Sequence, residues 1–312
     1  MTAVYTERDI RHDPNSVITI GTFDGVHLGH RAIIDELLSR ARVCRARSVV
    51  MTFDPHPREI VHRGPVEYLS TLEERLAVLE TTGIDVTLVL KFTHDFSRLS
   101  SRDFYDQYVV QKVGVREVVV GHDHMFGKDR EAGLEELRKF GKEYGFTAIA
   151  VPPVSVDAQT VSSSAIREYL QRGDVEKAQR LLGRPYALRG MVVKGDGRGA
   201  GLGFPTANIQ PGHINKLVPA SGVYFVRANL GTQEMYGMSN IGFRPTFETD
   251  HRRVVEVHLF DYHGNLYDQI VEIQFLKRLR SEQKFSSREE LITQLQHDRN
   301  ESMKYLTKMN QH

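Results

Sequence analysis

The sequence has no tryptophan and a single cysteine, Cys44, among its 312 residues. One cysteine excludes an intrachain disulfide, and nothing in the composition points to an oxidising compartment. Charge of one sign is lacking too, since 41 basic and 40 acidic side chains leave a formal charge of +1. That balance builds no global field to draw in nucleic acid or an anionic membrane, so any phosphate binding must be local. No apolar run approaches the ~18 residues of a membrane span, and the first residues, MTAVYTERDIRHDP, lack the apolar stretch of a secretory signal. The expectation is a soluble cytoplasmic protein with no nucleic-acid or membrane partner.

What is present is 40% hydrophobic residues, enough for one large core or two ordinary ones. From Val17 to about Leu182, β-branched runs (VITIG, SVVMTF, VTLVLKF, EVVVG, TAIAV) alternate with segments of helical period (RAIIDELLSRAR, TLEERLAVLETTG, RDFYDQYVVQKVG, LEELRKFGKEYG). This alternation predicts an α/β domain with a parallel sheet. Two short helices, SSSAIREYLQRG and DVEKAQRLLG, are expected to close it, and the sequence changes character at GRPYALRG. The expected domains are therefore residues 1–183 and 184–312. The second half offers glycine-punctuated strands, YALRGMVVKG, GVYFVRANL, EMYGMSNIG, RRVVEVHLFDY and DQIVEIQFLKRL, with no helical segment between them. They predict a small antiparallel β-barrel or sandwich. The last stretch, SSREELITQLQHDRNESMKYLTKM, opens with serine caps and acidic residues and is expected to form one helix packed on the barrel.

VITIG runs into GTFDGVHLGH, where Gly21, Gly25 and Gly29 let the backbone approach a ligand at the end of a parallel strand. His27 and His30 are three apart at the expected first turn of a helix, so both imidazoles can share one face beside the positive end of its dipole. From the residues alone, a phosphate corner, two exposed loop histidines and a metal site all stay open, although no third metal ligand sits at a supporting spacing. SSSAIRE, read alone, is a capped helix whose amides can also hold an anion.

HLGH at 27–30 resembles the HxGH signature shared by nucleotidyltransferases and class I aminoacyl-tRNA synthetases. With TFDPHP at 52–57, VGHDHMFG at 120–127 and VSSSAIR at 161–167, it follows the order and spacing of the FMN adenylyltransferase half of prokaryotic FAD synthetases. The resemblance implies an HxGH Rossmann-like fold in which His27 and His30 contact the phosphates of ATP during transfer of AMP to FMN. It places Gly21, Phe23, Asp24, Gly25, Ser162, Ser163, Ser164 and Arg167 around the nucleotide. Asp54, His56, Pro57, Asp123 and Phe126 fall on the flavin side, with Asp123 also available to the nucleotide or its metal. Family members usually carry phenylalanine where this chain has His124.

The segment KGDGRGAGLGFPTANI has five glycines between Gly195 and Gly203, a loop that can fold over phosphates. It matches neither GxxxxGK[ST] nor a GxGxxG opening a helix, and as a bare feature it is also compatible with a mobile hairpin. GFPTAN closely resembles the signature of riboflavin kinases, and NIGFRPTF at 240–247, VEVHLFD at 255–261 and LRSEQKF at 279–285 continue the match. Nearly the whole chain thus resembles the prokaryotic bifunctional riboflavin kinase/FMN adenylyltransferases. The resemblance implies that Thr206 and Asn208 meet Mg²⁺ and the ATP phosphates. Glu256 would take the proton of the ribityl 5′-hydroxyl, while Gly195, Gly197, Arg198, Gly199 and Gly203 cover the nucleotide. Strand alternation sets Val255 and Val257 on one face and Glu256 and His258 on the other. Where the family often has arginine in the glycine loop, this chain has Ala200, with Lys194 and Arg198 nearby. Arg244 is a further candidate for the substrate pocket.

The implied partners are small molecules: ATP with Mg²⁺, and riboflavin, FMN and FAD as substrates and products. Two other readings stand beside this one. One is a single-activity protein with one domain reduced to binding, and the other is a flavin-sensing or RNA-binding regulator using RARVCRAR at 40–47. Those arginines read as a solvated face, because no aromatic residues are interleaved to build a nucleic-acid groove.

Overall fold

The computed structural model describes residues 2–61, 66–125, 133–195, 199–231, 233–243 and 253–311. By Cα packing the chain divides into two compact units, Met1–Ser163 and Ser164–His312.

The first unit is a six-stranded, all-parallel sheet. Its strands are β1 (Ala3–Thr6), β2 (Ser16–Ile20), β3 (Arg47–Asp54), β4 (Val86–Lys91), β5 (Glu117–Gly121) and β6 (Thr147–Val151), in the order β1-β4-β3-β2-β5-β6. Alternate residues feed two cores, as a sheet covered on both faces requires. Ile18, Ile20, Val49, Met51, Val118 and Val120 join one core, while Val17, Val50 and Val119 join the other with Ile34 and Leu37. Those last two lie on helix α1 (Leu28–Cys44). The remaining helices are α2 (Pro57–Val61), α3 (Leu72–Glu80), α4 (Ser101–Phe104) and α5 (Leu134–Tyr144). The segment expected as one α-helix over 102–114 is α-helical only to Phe104 and continues as a π-helix, Tyr105–Val113. A two-stranded ribbon, β7 (Ser155–Val156) and β8 (Gln159–Thr160), follows β6.

From β2 the chain runs outward through β3 to β4, then returns to place β5 on the other side of β2. The reversal opens a crevice at the carboxyl ends of β2 and β5, the usual ligand position in an open α/β sheet.

The second unit holds helices α6 (Ser163–Arg172, from its second residue) and α7 (Val175–Leu182) and a closed antiparallel barrel. The barrel order is β10-β13-β12-β11-β14-β9, from β9 (Tyr186–Val193), β10 (Ala207–Pro211), β11 (Gly222–Asn229), β12 (Glu234–Phe243), β13 (Arg253–Leu259) and β14 (Ile270–Arg280). Helix α7 packs on β14 and β9, burying Val175, Ala178, Leu181 and Leu182. Packing thus divides the chain between Ser163 and Ser164, whereas the change of sequence character falls at 183/184.

The final helix, α8 (Arg288–Met309), starts at Ser287, whose hydroxyl accepts the Glu290 amide at 3.2 Å. Tyr305 and Leu306 of α8 pack against a cluster of Phe225, Met238, Phe260 and Leu276. Arg280 at the end of β14 pairs with the buried Asp298 carboxylate at 2.8–3.1 Å, fixing the helix to the barrel.

Candidate functional site

The loop from β2 to α1 sits at the crevice and is held by side chains distant in sequence. Phe23, Gly25 and Val26 have positive φ of 49°, 81° and 39°. For a β-branched residue such as Val26 this conformation costs of order 1–3 kcal/mol and persists only where the surroundings impose it. The surroundings do so here. The buried Asp24 carboxylate accepts the Leu69 amide at 3.1 Å, the Ser70 amide at 2.9 Å and the Ser70 hydroxyl at 3.2 Å, while the Gly25 amide donates to Ser70 Oγ at 2.8 Å. Thr22 carbonyl oxygen accepts from Thr52 Oγ1 at 3.1 Å and from Arg75 at 2.5 Å. Asp24, assigned to the nucleotide from sequence, therefore uses its carboxylate to brace this loop against residues 69–70.

His27 is the N-cap of α1, and its Nδ1 accepts the His30 amide at 3.2 Å. An accepting Nδ1 carries no proton, so in the neutral ring the proton is on Nε2, which is then the donor. The two imidazoles stack with centroids 3.6 Å apart, and Phe23 lies 5.1 Å from the His30 ring. Gly29 explains the third letter of the motif: a Cβ there would sit 3.2 Å from the His27 ring. Ser163, first residue of α6, donates from Oγ to the Asp24 carbonyl at 3.1 Å. Ser162 precedes it, and Ser164 and Arg167 lie on the first turns of the same helix.

Two further loops leave the neighbouring strands. At the end of β3, Asp54 is exposed and His56 is buried, accepting the Arg58 amide on Nδ1 at 3.1 Å with its ring 5.7 Å from Tyr68. Pro57 opens α2. Beyond β5, Asp123 is exposed, whereas His124 Nε2 lies 2.9 Å from the hydroxyl of the buried Tyr105. Burial pushes the His124 pKa down to about 4 against a smaller opposing effect of Asp123, and burial raises that of Tyr105. Phe126 lies outside the described residues.

Arg75, which the sequence did not single out, joins two of these loops. It is buried on α3 and donates to the carbonyls of Thr22 and Phe53, the latter at 3.0 Å. Burial lowers its pKa, and Asp24 and Asp54 oppose that shift. Its only sequence signal is a basic residue on a helix otherwise capped and patterned for the core.

The second constellation lies on the outer face of the barrel. In register, Asn208 of β10 stands opposite Glu256 of β13, which stands opposite Asn240 of β12. Directly opposite residues share a face, so these three polar side chains form one row across three strands. The alternation expected for β13 holds, with Val255 and Val257 buried and Glu256 and His258 partly exposed. Asn208 is buried with Gly195 against it, so a Cβ on Gly195 would collide with the Asn208 amide. Gly199 is tied to the Phe204 turn in the same way: its carbonyl accepts the Leu202 and Phe204 amides, each at 3.0 Å, and a Cβ would strike the Phe204 carbonyl. That Cβ would also lie 3.3 Å from Thr206 Oγ1, which places Thr206 directly beside the glycine turn. Gly203 takes φ of +80°. Gly197, Arg198 and Arg244 lie outside the described residues. Asn240 and the His258 contacts were missed from sequence because only strand register brings them to Glu256.

The chemistry these two places offer differs. The first gathers imidazole and backbone donors at helix starts, suited to phosphate charge. The second sets a carboxylate beside neutral oxygens, suited to deprotonating an alcohol next to a cation-bound phosphate. Known proteins align with that division. Residues 9–165 match the FAD synthetase family and residues 182–306 the riboflavin kinase family. The bifunctional riboflavin kinase/FMN adenylyltransferase of Listeria monocytogenes is 36% identical, covering 95% of this chain and 94% of its own length. Those of Pseudomonas fluorescens and Escherichia coli K12 are 39% and 37% identical, each covering 90% of both chains. A solved Streptococcus pneumoniae structure described as a macrolide-efflux protein is 30% identical, with a TM-score of 0.87 over 96% of this chain and 98% of its own. Among the described residues of the present chain, no helix is long and apolar enough to cross a membrane. With both family matches and relatives alike over nearly its full length, the chain belongs to the bacterial bifunctional riboflavin kinase/FMN adenylyltransferase family, whose members convert riboflavin to FMN and FMN to FAD.

Proposed function

We propose that the two steps are carried by separate constellations, adenylylation by the β2–α1 loop and its neighbours and phosphorylation by the Asn208–Glu256–Asn240 row. The domain boundary for the chemistry is placed near residue 184. The observation that carries this reading is that no residue of either constellation falls within the family match of the other.

In the adenylyl step a phosphate oxygen of FMN attacks the α-phosphorus of ATP, and the bond to pyrophosphate breaks. His27, through Nε2–H, and His30 donate to phosphate oxygens as charge shifts onto the leaving group. Ser162 and Ser163, the latter bonded to the Asp24 carbonyl, add donors for the same anion, and the family resemblance assigns Ser164 and Arg167 to the nucleotide. Asp54, His56, Pro57 and Asp123 face the flavin side. Asp24 serves through its backbone, since its carboxylate braces the loop.

In the kinase step Glu256 accepts the proton of the ribityl 5′-hydroxyl as that oxygen attacks the γ-phosphorus and ADP leaves. Thr206 Oγ1 and the Asn208 side-chain oxygen fit a hard cation: both are neutral oxygen donors, and two of them leave coordination to be completed by ATP phosphates. Mg²⁺ bound there would neutralise charge across the triphosphate. Gly195 and Gly199 keep Asn208 and Thr206 in place by close backbone contact. We place both reactions in the cytoplasm, a reading supported by the single cysteine.

A mixing experiment tests the division. His27→Ala protein given riboflavin, ATP and Mg²⁺ should stop at FMN, and Glu256→Gln protein should make neither flavin nucleotide from riboflavin. Combined in one tube they should form FAD. A mixture that makes no FAD, although both variants are folded, rules out two separable sites.

A further inference from the structure

His258 stands two residues beyond Glu256 on the same outward face of β13, and its Nδ1 lies 2.9 Å from the carbonyl oxygen of Pro205. A carbonyl can only accept, so Nδ1 carries the proton and donates. The ring also meets Phe204 edge-on at 5.1 Å and lies 6.0 Å from Phe260. Pro205 has no amide proton, so its carbonyl is the one backbone group by which it can be tied down. Immediately after Thr206 the chain enters the ladder, with Ala207 opposite Val257 and Asn208 opposite Glu256.

These contacts close a small circuit. It runs along β13 from Glu256 to His258, crosses the hydrogen bond to Pro205, and returns through Thr206 and Ala207 to Asn208, opposite its start. Thr206 is the one member outside both the ladder and the His258 bond, held between two anchors. A strand end with no such anchor frays, because its last hydrogen bonds are exposed to water.

We propose that His258 is a positioning residue for phosphoryl transfer: by holding the Pro205 carbonyl it fixes Thr206 and Asn208 relative to Glu256. The inference rests on the roles given above to those three residues. Burial lowers the imidazole pKa, with the Pro205 carbonyl opposing and Arg299 adding to the effect. In the neutral ring the single N–H is the one on Nδ1, and it is committed to Pro205. That commitment leaves it no proton to give the substrate, so its action is geometric.

The test uses three variants of the full chain and exploits where each side chain carries its donor. The Asn amide nitrogen is bonded to Cγ, as His Nδ1 is, whereas the Gln amide reaches further, towards the position of Nε2. His258→Ala should weaken binding of ADP with Mg²⁺, measured by calorimetry, and raise the KM for ATP in FMN formation by about 3- to 10-fold, the range for one lost hydrogen bond. Adenylylation of supplied FMN should be unchanged. His258→Asn should recover within about 2-fold of wild type, and His258→Gln should resemble the alanine variant. Unchanged nucleotide binding and KM in His258→Ala would overturn the proposal, as would an Asn variant no better than Gln. If the alanine variant fails to fold by circular dichroism, the Asn–Gln contrast decides alone. The underlying reading fails separately, if Thr206→Ala leaves ADP–Mg²⁺ binding intact or Glu256→Gln leaves FMN formation intact.

Discussion

The two units solve the same problem, holding a triphosphate next to an attacking oxygen, with opposite parts of secondary structure. In the parallel-sheet unit the candidate groups sit past the ends of β2, β3 and β5, on loops that the fold must brace with Asp24, Ser70 and Arg75. In the barrel unit the row Asn208, Glu256 and Asn240 lies within paired strands, where hydrogen-bond register supplies the bracing. Loops buy reach at the cost of dedicated supports, and ladders give rigidity with a fixed spacing. Substitutions should therefore act in different ways in the two places.

The largest effect is expected in the ladder. Glu256→Gln keeps shape and hydrogen bonding but removes the proton acceptor, so FMN formation from riboflavin should fall by about 10²- to 10⁴-fold. Adenylylation of supplied FMN should persist, because its phosphate nucleophile is already ionised. Near-normal FMN production would remove Glu256 as the base and leave positioning alone. In the loop unit, His27→Ala or His30→Ala should slow FAD formation by about 10²- to 10³-fold and spare FMN formation. Equal loss of both activities would point to a folding defect in place of a lost donor.

A smaller effect isolates the bracing itself. Arg75→Lys keeps the charge but cannot reach both the Thr22 and Phe53 carbonyls, and losing one charged hydrogen bond should slow FAD formation by about 10-fold. If rates from supplied FMN are unaltered in Arg75→Lys, the loop does not depend on this support.

The last effect bears on stability and not on either rate. His124 is held neutral in the fold, with a pKa near 4, and rises towards 6.5 on unfolding. The unfolded chain therefore takes up a proton first, so this stability is fully present above pH 6.5 and is lost as pH falls through 4. The full loss is about 3 kcal/mol for this group. His124→Phe should flatten denaturant midpoints between pH 7 and 4.5 relative to wild type. An identical pH profile for the two proteins would show that His124 titrates normally.

Much of this was legible in the sequence where the physics is local. Runs such as EVVVG and VITIG announce buried parallel strands, and β13 shows its two faces by alternation. GTFDGVHLGH and GFPTAN are contiguous, so a family resemblance can be recognised on them, whereas the residues alone left loop, metal and phosphate readings open. The strand β1 escaped notice because AVYT is four residues long and half exposed. β10 escaped because ANIQP carries an asparagine and a proline and only Ile209 and Asn208 are buried. Arg75 lies 53 residues from Thr22 and 22 from Phe53, and Asn240 meets Glu256 only through register. Neither relation leaves a trace in spacing along the chain.

The row across β10, β13 and β12 also sets where this protein can change length over evolution. Strand side chains alternate faces, so one extra residue between the start of β13 and Glu256 would turn the carboxylate into the barrel interior and bring a valine out in its place. Insertions in the segment between β13 and β14, residues 260–269, leave the register of Asn208, Glu256 and Asn240 untouched. Lineages of this enzyme should accordingly differ freely in the lengths of such connections while keeping the residue count of β13 constant, a pattern that an alignment of many members would display as gaps confined to the turns.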